Sequence, residues 1–136
     1  VKGGKMHKSK SYLYVAFRIL VGLGFFFHGA QKIFGWFGGK GLLELSGQLM
    51  FAGFVEIIVG PLIILGLFTS MAATLGALNM IGAWILVHMP NGINPMTNGG
   101  ELAMMYFAAF LVLIAFGASK LSLERLLFKK EFFHKS

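Results

Sequence analysis

The sequence predicts an all-α integral membrane protein: a four-helix bundle with both termini in the cytoplasm and an amphipathic C-terminal helix at the interface. Three observations carry this. Four long apolar runs, at residues 13–34, 49–68, 71–89 and 102–116, fill most of the 136-residue chain. The chain is 57% hydrophobic and 12% charged, against roughly 25% charged in an ordinary soluble domain. Its basic residues gather at the two ends, with Lys2, Lys5, Lys8 and Lys10 before the first run and Lys120, Arg125, Lys129, Lys130 and Lys135 after the last.

A bilayer core about 30 Å thick needs roughly 20 helical residues per crossing, with about 17 as the lower limit. The first three runs meet this. The fourth meets it if its helix starts near Gly99 or Gly100, which gives spans of about 13–34, 49–68, 71–89 and 100–117 in a single domain over 1–136. An even number of spans puts both ends on one side, and the positive-inside rule makes that side cytoplasmic. The first run follows a basic start, as in a signal peptide, but it is too long for one and is read as a retained span. Trp36, in the Gly-rich stretch that ends it, has the interfacial position of a belt aromatic. Residues 40–48 form the first outer connection, with room for a short surface helix. Pro61 sits inside the second span, where its missing donor favours a kink packed against protein. The turn to the third span is very short, and the small pairs Ala72/Gly76 and Ala73/Ala77 favour close packing of that hairpin. The second outer loop, 90–100, is all turn chemistry. The tail, 119–136, alternates leucine and phenylalanine with basic residues, as in an interfacial helix, with Ser122 as its N-cap and Glu124 in the first turn.

The same counts exclude several classes. A net charge of +7 placed at the chain ends is a topology signal with attraction to anionic lipid, so no nucleic-acid partner is expected. Cysteine is absent, which removes disulfides, thiolate metal sites, iron–sulfur clusters and covalent haem from this chain. No metal site is expected. His28 and His88 could in principle ligate haem, but two isolated histidines do not make that expectation.

Charged groups in lipid cost several kcal/mol by most scales, so each needs a reason. The first span contains Arg18, His28, Gln31 and Lys32; the second Glu56; the third Asn79 and His88; Glu101 opens the fourth. At a rise of about 1.5 Å per residue, His28 and Glu56 each lie roughly 10 Å below the outer ends of their spans. Lys32, His88 and Glu101 sit nearer the boundary, so five ionisable groups converge on the outer third of the bundle. Arg18 alone is toward the inner side. Each group has a plainer role beside the chemical one: Glu56 as counter-ion to Lys32 or Arg18, Lys32 as a snorkelling cation, His28 as a bonded structural histidine, His88 and Glu101 as boundary residues, Asn79 as a hydrogen bond between helices.

The run Arg18-Ile-Leu-Val-Gly22 followed by His28-Gly29-Ala30-Gln31-Lys32 resembles the first helix of the DoxX family. Gly53-Phe-Val-Glu56 through Gly60 to Leu65-Gly-Leu-Phe-Thr69 is similar to that family's second helix and turn. Gly99-Gly-Glu101-Leu and Lys120-Leu-Ser-Leu match its later landmarks, so the resemblance covers residues 18–127. It implies a four-helix membrane subunit linked to redox chemistry, since DoxD-type relatives are associated with thiosulfate:quinone oxidoreductase and others with oxidative-stress complexes. It also implies that Arg18, Gly29, Lys32, Glu56 and Glu101 shape a common polar pocket. Without cysteine to hold a persulfide, direct thiosulfate oxidation by this chain alone is not expected.

The expected function is therefore a small membrane subunit of a redox or respiratory complex in a bacterial or archaeal plasma membrane. A quinone or similar molecule would bind in the outer half through His28, Gln31, Lys32, Glu56, His88 and Glu101. Glu56 and His28 are the candidate catalytic groups, exchanging protons with quinol oxygens, while Lys32 stabilises a developing oxyanion. Phe27 and Phe51 would line the ring. Arg18, Lys32 and Glu56 form the alternative structural ion pair. Electrons would come from a partner subunit, so lipid and other membrane subunits or further copies of the chain are the expected partners. The competing expectations are a non-enzymatic assembly subunit and a small oligomeric transporter.

Overall fold

Every apolar run becomes a helix. The structure, a computed structural model, describes residues 3–119 and 121–128, with residues 3–9 described by backbone alone. The elements are α1 (Gly3–Phe34), α2 (Gly47–Leu65), α3 (Thr69–Ala83), α4 (Pro95–Asn98), α5 (Glu101–Phe116) and α6 (Leu123–Phe128). No strand occurs among the described residues. The basic residues Lys2, Lys120, Lys129, Lys130 and Lys135, and the tail beyond Phe128, lie outside them.

Among the described residues, three helices are long and apolar enough to cross a bilayer: Lys10–Phe34 within α1, Gly47–Leu65, and Thr69–Asn91. The third continues from α3 through a π-helical turn at Trp84–His88 and a 3-10 turn at Met89–Asn91. Pro90 lacks the N–H that would continue an α-helical ladder. Just before it the backbone widens, with the Met89 N–H bonding back to Trp84 O. The fourth helix departs from expectation. It begins at Glu101 and not at Gly99 or Gly100, and its 16 residues extend only about 24 Å, so local bilayer thinning or its flanking residues must complete the crossing.

α1 packs along α2, and α3 along α5; the α2–α3 hairpin joins the two pairs. Glycines set the first contact. Gly22 and Gly29 face Gly60 and Gly53, an antiparallel match of two seven-residue spacings. A Cβ at Gly29 would lie 2.8 Å from both Glu56 Cβ and Ile57 N and 3.0 Å from Gly53 O. Backbone atoms cannot yield, so the helices would have to part. A Gly29→Leu chain is expected to lose about 3 kcal/mol of stability, measured as a shift in denaturation of the detergent-solubilised protein. The small residues of α3 join α2 and α5 in the core: Ala72, Ala73 and Ala77 are buried in one cluster with Val59 and Ile63 of α2, and Gly76 packs under the Phe110 ring of α5, at 2.7 Å from its Cβ position. Phe25, Val59, Ile63, Met80, Phe110 and Leu113 fill the centre.

α2 runs unbroken through Pro61, starts with Ser46 accepting from Leu49 N, and ends at Gly66 in the left-handed region (φ 68°). There the Leu67 N–H bonds back to Leu62 O at 2.8 Å, the Schellman closure that favours glycine. Side-chain space at Gly66 is also taken, because its Cβ position lies 2.5 Å from Ser122 Cβ and 3.0 Å from the guanidinium carbon of Arg18. This end of the bundle, where the first part of α1 meets the chain leading into α6, is thus tied around the turn. Buried Arg18 donates to the carbonyls of Ala118, Leu121 (2.6 Å) and Ile64 (3.4 Å). The Tyr14 hydroxyl donates to Gly117 O, and the Glu124 N–H to Gly66 O at 3.2 Å. Ser122 caps α6 as expected, accepting from Arg125 N. Glu124 stands in the first turn of α6, as expected, and is only 1% exposed; α6 turns its acid into the bundle and leaves Leu126, Leu127 and Phe128 on the outside.

The large apolar side chains left outside, among them Leu20, Phe54, Ile58, Leu78 and Leu111, form the lipid-facing surface. The chain is an integral membrane protein.

Candidate functional site

At the opposite end, which carries the loops, the glycine match of α1 and α2 creates an ion pair. On each helix a charged residue stands three positions after a glycine: Lys32 after Gly29, and Glu56 after Gly53. Residues three apart share a helix face, so each charge lies over the partner helix's glycine. Lys32 Cβ is 3.1 Å from the Cβ position at Gly53, and Glu56 Cβ is 2.8 Å from that at Gly29. Lys32 Nζ donates to both carboxylate oxygens, at 2.9 and 3.1 Å. The carboxylate is deeply enclosed and the ammonium less so, with side-chain exposures of 4% and 24%.

This pair forms one wall of a cavity of about 790 Å³ reached by residues of α1, α2, the third span and α5. His28, Gln48, Asn79, His88 and Tyr106 contribute its other polar side chains. The His28 ring stands edge-on to Tyr106, with centroids 5.7 Å apart, and the Tyr106 ring continues onto Phe25 and Phe110. His88 is held by the second loop: its Nδ1 lies 3.3 Å from Asn98 O. Asn98 is buried, donates to Gly92 O and accepts from Gly100 N. The loop read as turn chemistry is therefore a folded support for one cavity wall.

Of the residues expected at the site, His28, Lys32, Glu56 and His88 come together. Gln31 and Glu101 do not line the cavity. Gln31 packs against Gly39 in the first loop. Glu101 is exposed, because the inward face of α5 carries Ala103, Tyr106 and Phe110, and Glu101 is two residues, about 200°, from Ala103. Arg18 is no partner of Glu56: it lies eleven residues, roughly 16 Å along α1, from Gly29 and belongs to the tail end. Phe51 lines the cavity, whereas Phe27 faces Phe37 outside it. Asn79 makes no interhelical hydrogen bond; its amide nitrogen is enclosed without a partner among the described residues. Sequence reading missed Tyr106, the one hydroxyl in the apolar run of α5. Among the described residues, no three His, Asp or Glu side chains converge as metal ligands.

The sequence model of the DoxX family matches residues 13–89. The chain belongs to the DoxX family. A Haemophilus influenzae protein without a functional name is 35% identical to this DoxX protein over 132 residues, covering 92% of this chain and 98% of the relative. CatD of Bacillus subtilis, named provisionally as an oxidoreductase, is 30% identical over 130 residues, covering 91% and 93%. No solved structure matches this DoxX protein at a comparable level. The family match spans the ion pair, His28 and His88, while Tyr106 lies beyond it.

Proposed function

We propose that this DoxX protein is a small subunit of a membrane redox complex, and that its cavity binds a quinone or a molecule like it. The observation that carries the reading is the Lys32–Glu56 pair, set with His28 and Tyr106 into the wall of a mainly apolar cavity. Ligand cavities of roughly 300–1,000 Å³ with a few convergent polar groups are the usual form of a small-molecule site. A quinone ring presents two carbonyl oxygens. Lys32 is placed to donate to one and to stabilise charge that develops on it. Glu56 and His28 are the groups with which quinol oxygens exchange protons.

Reduction takes two electrons and two protons, and a chain without cysteine offers no thiolate cluster to carry the electrons. A partner subunit supplies or accepts them. CatD's name supports this direction, and the basic chain ends support cytoplasmic termini in a bacterial plasma membrane, with the cavity in the outer half. The competing role, an assembly subunit, draws on the complete pairing of Lys32 with Glu56, which is what a purely structural ion pair would show.

Mild-detergent purification from native membranes, followed by mass spectrometry and an absorbance spectrum of the eluate, separates the two. A co-purifying quinone together with a dehydrogenase or cytochrome is expected. A quinone-free preparation bound only to structural subunits would overturn the redox reading.

A further inference from the structure

We propose that the cavity opens sideways into the bilayer between α2 and the third span, and that Gly82 keeps this mouth open for an uncharged head group on a long hydrocarbon tail. The inference rests on the reading of the cavity as a quinone-type site and adds its route and ligand class.

The rim shows the direction. Phe51, Leu75 and Leu78 line the cavity and are nevertheless 70%, 48% and 58% exposed on the apolar, lipid-facing surface. Gly82 lines the same cavity one helical turn beyond Leu78, and nothing lies within 4 Å of where its Cβ would be. The other glycines within the spans, apart from Gly47 at the start of α2, behave differently: Gly22, Gly24, Gly29, Gly53, Gly60 and Gly76 each have a neighbour within 2.8 Å of the Cβ position, so packing explains them. Packing does not explain Gly82. A glycine inside a helix weakens it relative to alanine, and here the space gained is the mouth itself.

The wall chemistry gives the ligand class. The cavity's two full charges neutralise each other at 2.9 Å, so an ionised head group would have to break that pair. An uncharged head with oxygen acceptors would not. Asn79 lies on the same stretch of helix, between Leu78 and Gly82, with amide capacity unused. A half-turn exchanges its donor and acceptor edges, so it can meet a carbonyl oxygen. The tail would leave past Leu75, Leu78 and Phe51 into lipid.

The cavity also reaches the loop end at Gly47, where again nothing lies within 4 Å of the Cβ position. That rim supplies the control. Full-length protein in lipid nanodiscs is mixed with menaquinone-4, and tryptophan quenching is followed by stopped flow. Gly82→Phe is expected to slow both uptake and release by about tenfold, since a plugged route hinders both directions, with affinity changed less. Gly82→Leu should slow them by less. Gly82→Ala, the smallest filling of the mouth, should slow them least, and Gly47→Phe should stay within about twofold of the unaltered protein. Melting curves on the same samples verify the fold. Asn79→Ala should speed release alone, and palmitate should not displace the quinone.

Slowing by Gly47→Phe with none by Gly82→Phe would place the route at the loop end and overturn the inference. Displacement by palmitate would overturn the ligand class. Absence of quenching in the unaltered protein would sink the cavity reading and this inference with it. Tight binding with rates indifferent to Gly82 would sink only the inference.

Discussion

An Arg18→Met protein is expected to lose about 4 kcal/mol of stability. Arg18 is 2% exposed, and its guanidinium binds carbonyls of Ile64, Ala118 and Leu121. These three groups belong to two segments far apart in sequence, the end of α2 and the chain after α5. Methionine fills much of the volume but donates nothing. Each buried acceptor left without a partner costs about 1–3 kcal/mol, and lipid offers no water to replace it. Arg18→Lys should fall between the two, because an ammonium cannot span three carbonyls as a planar fork does. Denaturation of the purified protein in detergent, followed by helical circular dichroism, reads the effect. A stability unchanged by Arg18→Met would contradict the role given to this residue.

The second large effect is an asymmetry across the ion pair. Lys32→Met leaves a carboxylate that is 4% exposed without its cation, and removal of one partner of a buried pair costs about 3–5 kcal/mol. Glu56→Gln leaves an ammonium that is 24% exposed, on a flexible stem two residues from the end of α1. It can snorkel toward the head groups or bond the new amide, so a loss of about 1 kcal/mol is expected. The double variant should recover most of what Lys32→Met loses. A double-mutant cycle on denaturation midpoints tests this. Equal losses from the two single changes would show that the enclosure of Glu56 is not what governs the pair.

The class of fold was legible because composition and run length answer to the bilayer alone: a 19-residue apolar run such as α2 has few other fates. Partner choice was not. The small residues at 72, 73, 76 and 77 mark a face of α3, but periodicity does not say which helices meet that face, and at Gly76 the neighbour is Phe110 of α5. The candidate site divides along the same line. Depth along each span is set by residue count, so His28, Lys32, Glu56 and His88 were placed together correctly. Azimuth depends on how each helix is rotated, and that put Glu101 outside. Gln31 was drawn away by the loop glycine at 39. Tyr106 escaped because only the charged, histidine and amide side chains of the spans were weighed, although a hydroxyl in a lipid-spanning run also needs a reason. The π turn at Trp84–His88 has no local sequence signature beyond the proline that follows it.

The most direct test of the central claim, that the Lys32–Glu56 cavity is a ligand site and not merely a structural ion pair, is a menaquinone titration of the purified protein beside its Glu56→Gln variant, with melting temperature recorded on the same samples. The expected result is saturable binding by the unaltered protein, weakened about tenfold or more in the variant, which corresponds to about 1.4 kcal/mol, with the fold retained. A variant that binds as tightly as the unaltered protein, or one that loses its fold while the unaltered protein binds no quinone, would contradict it.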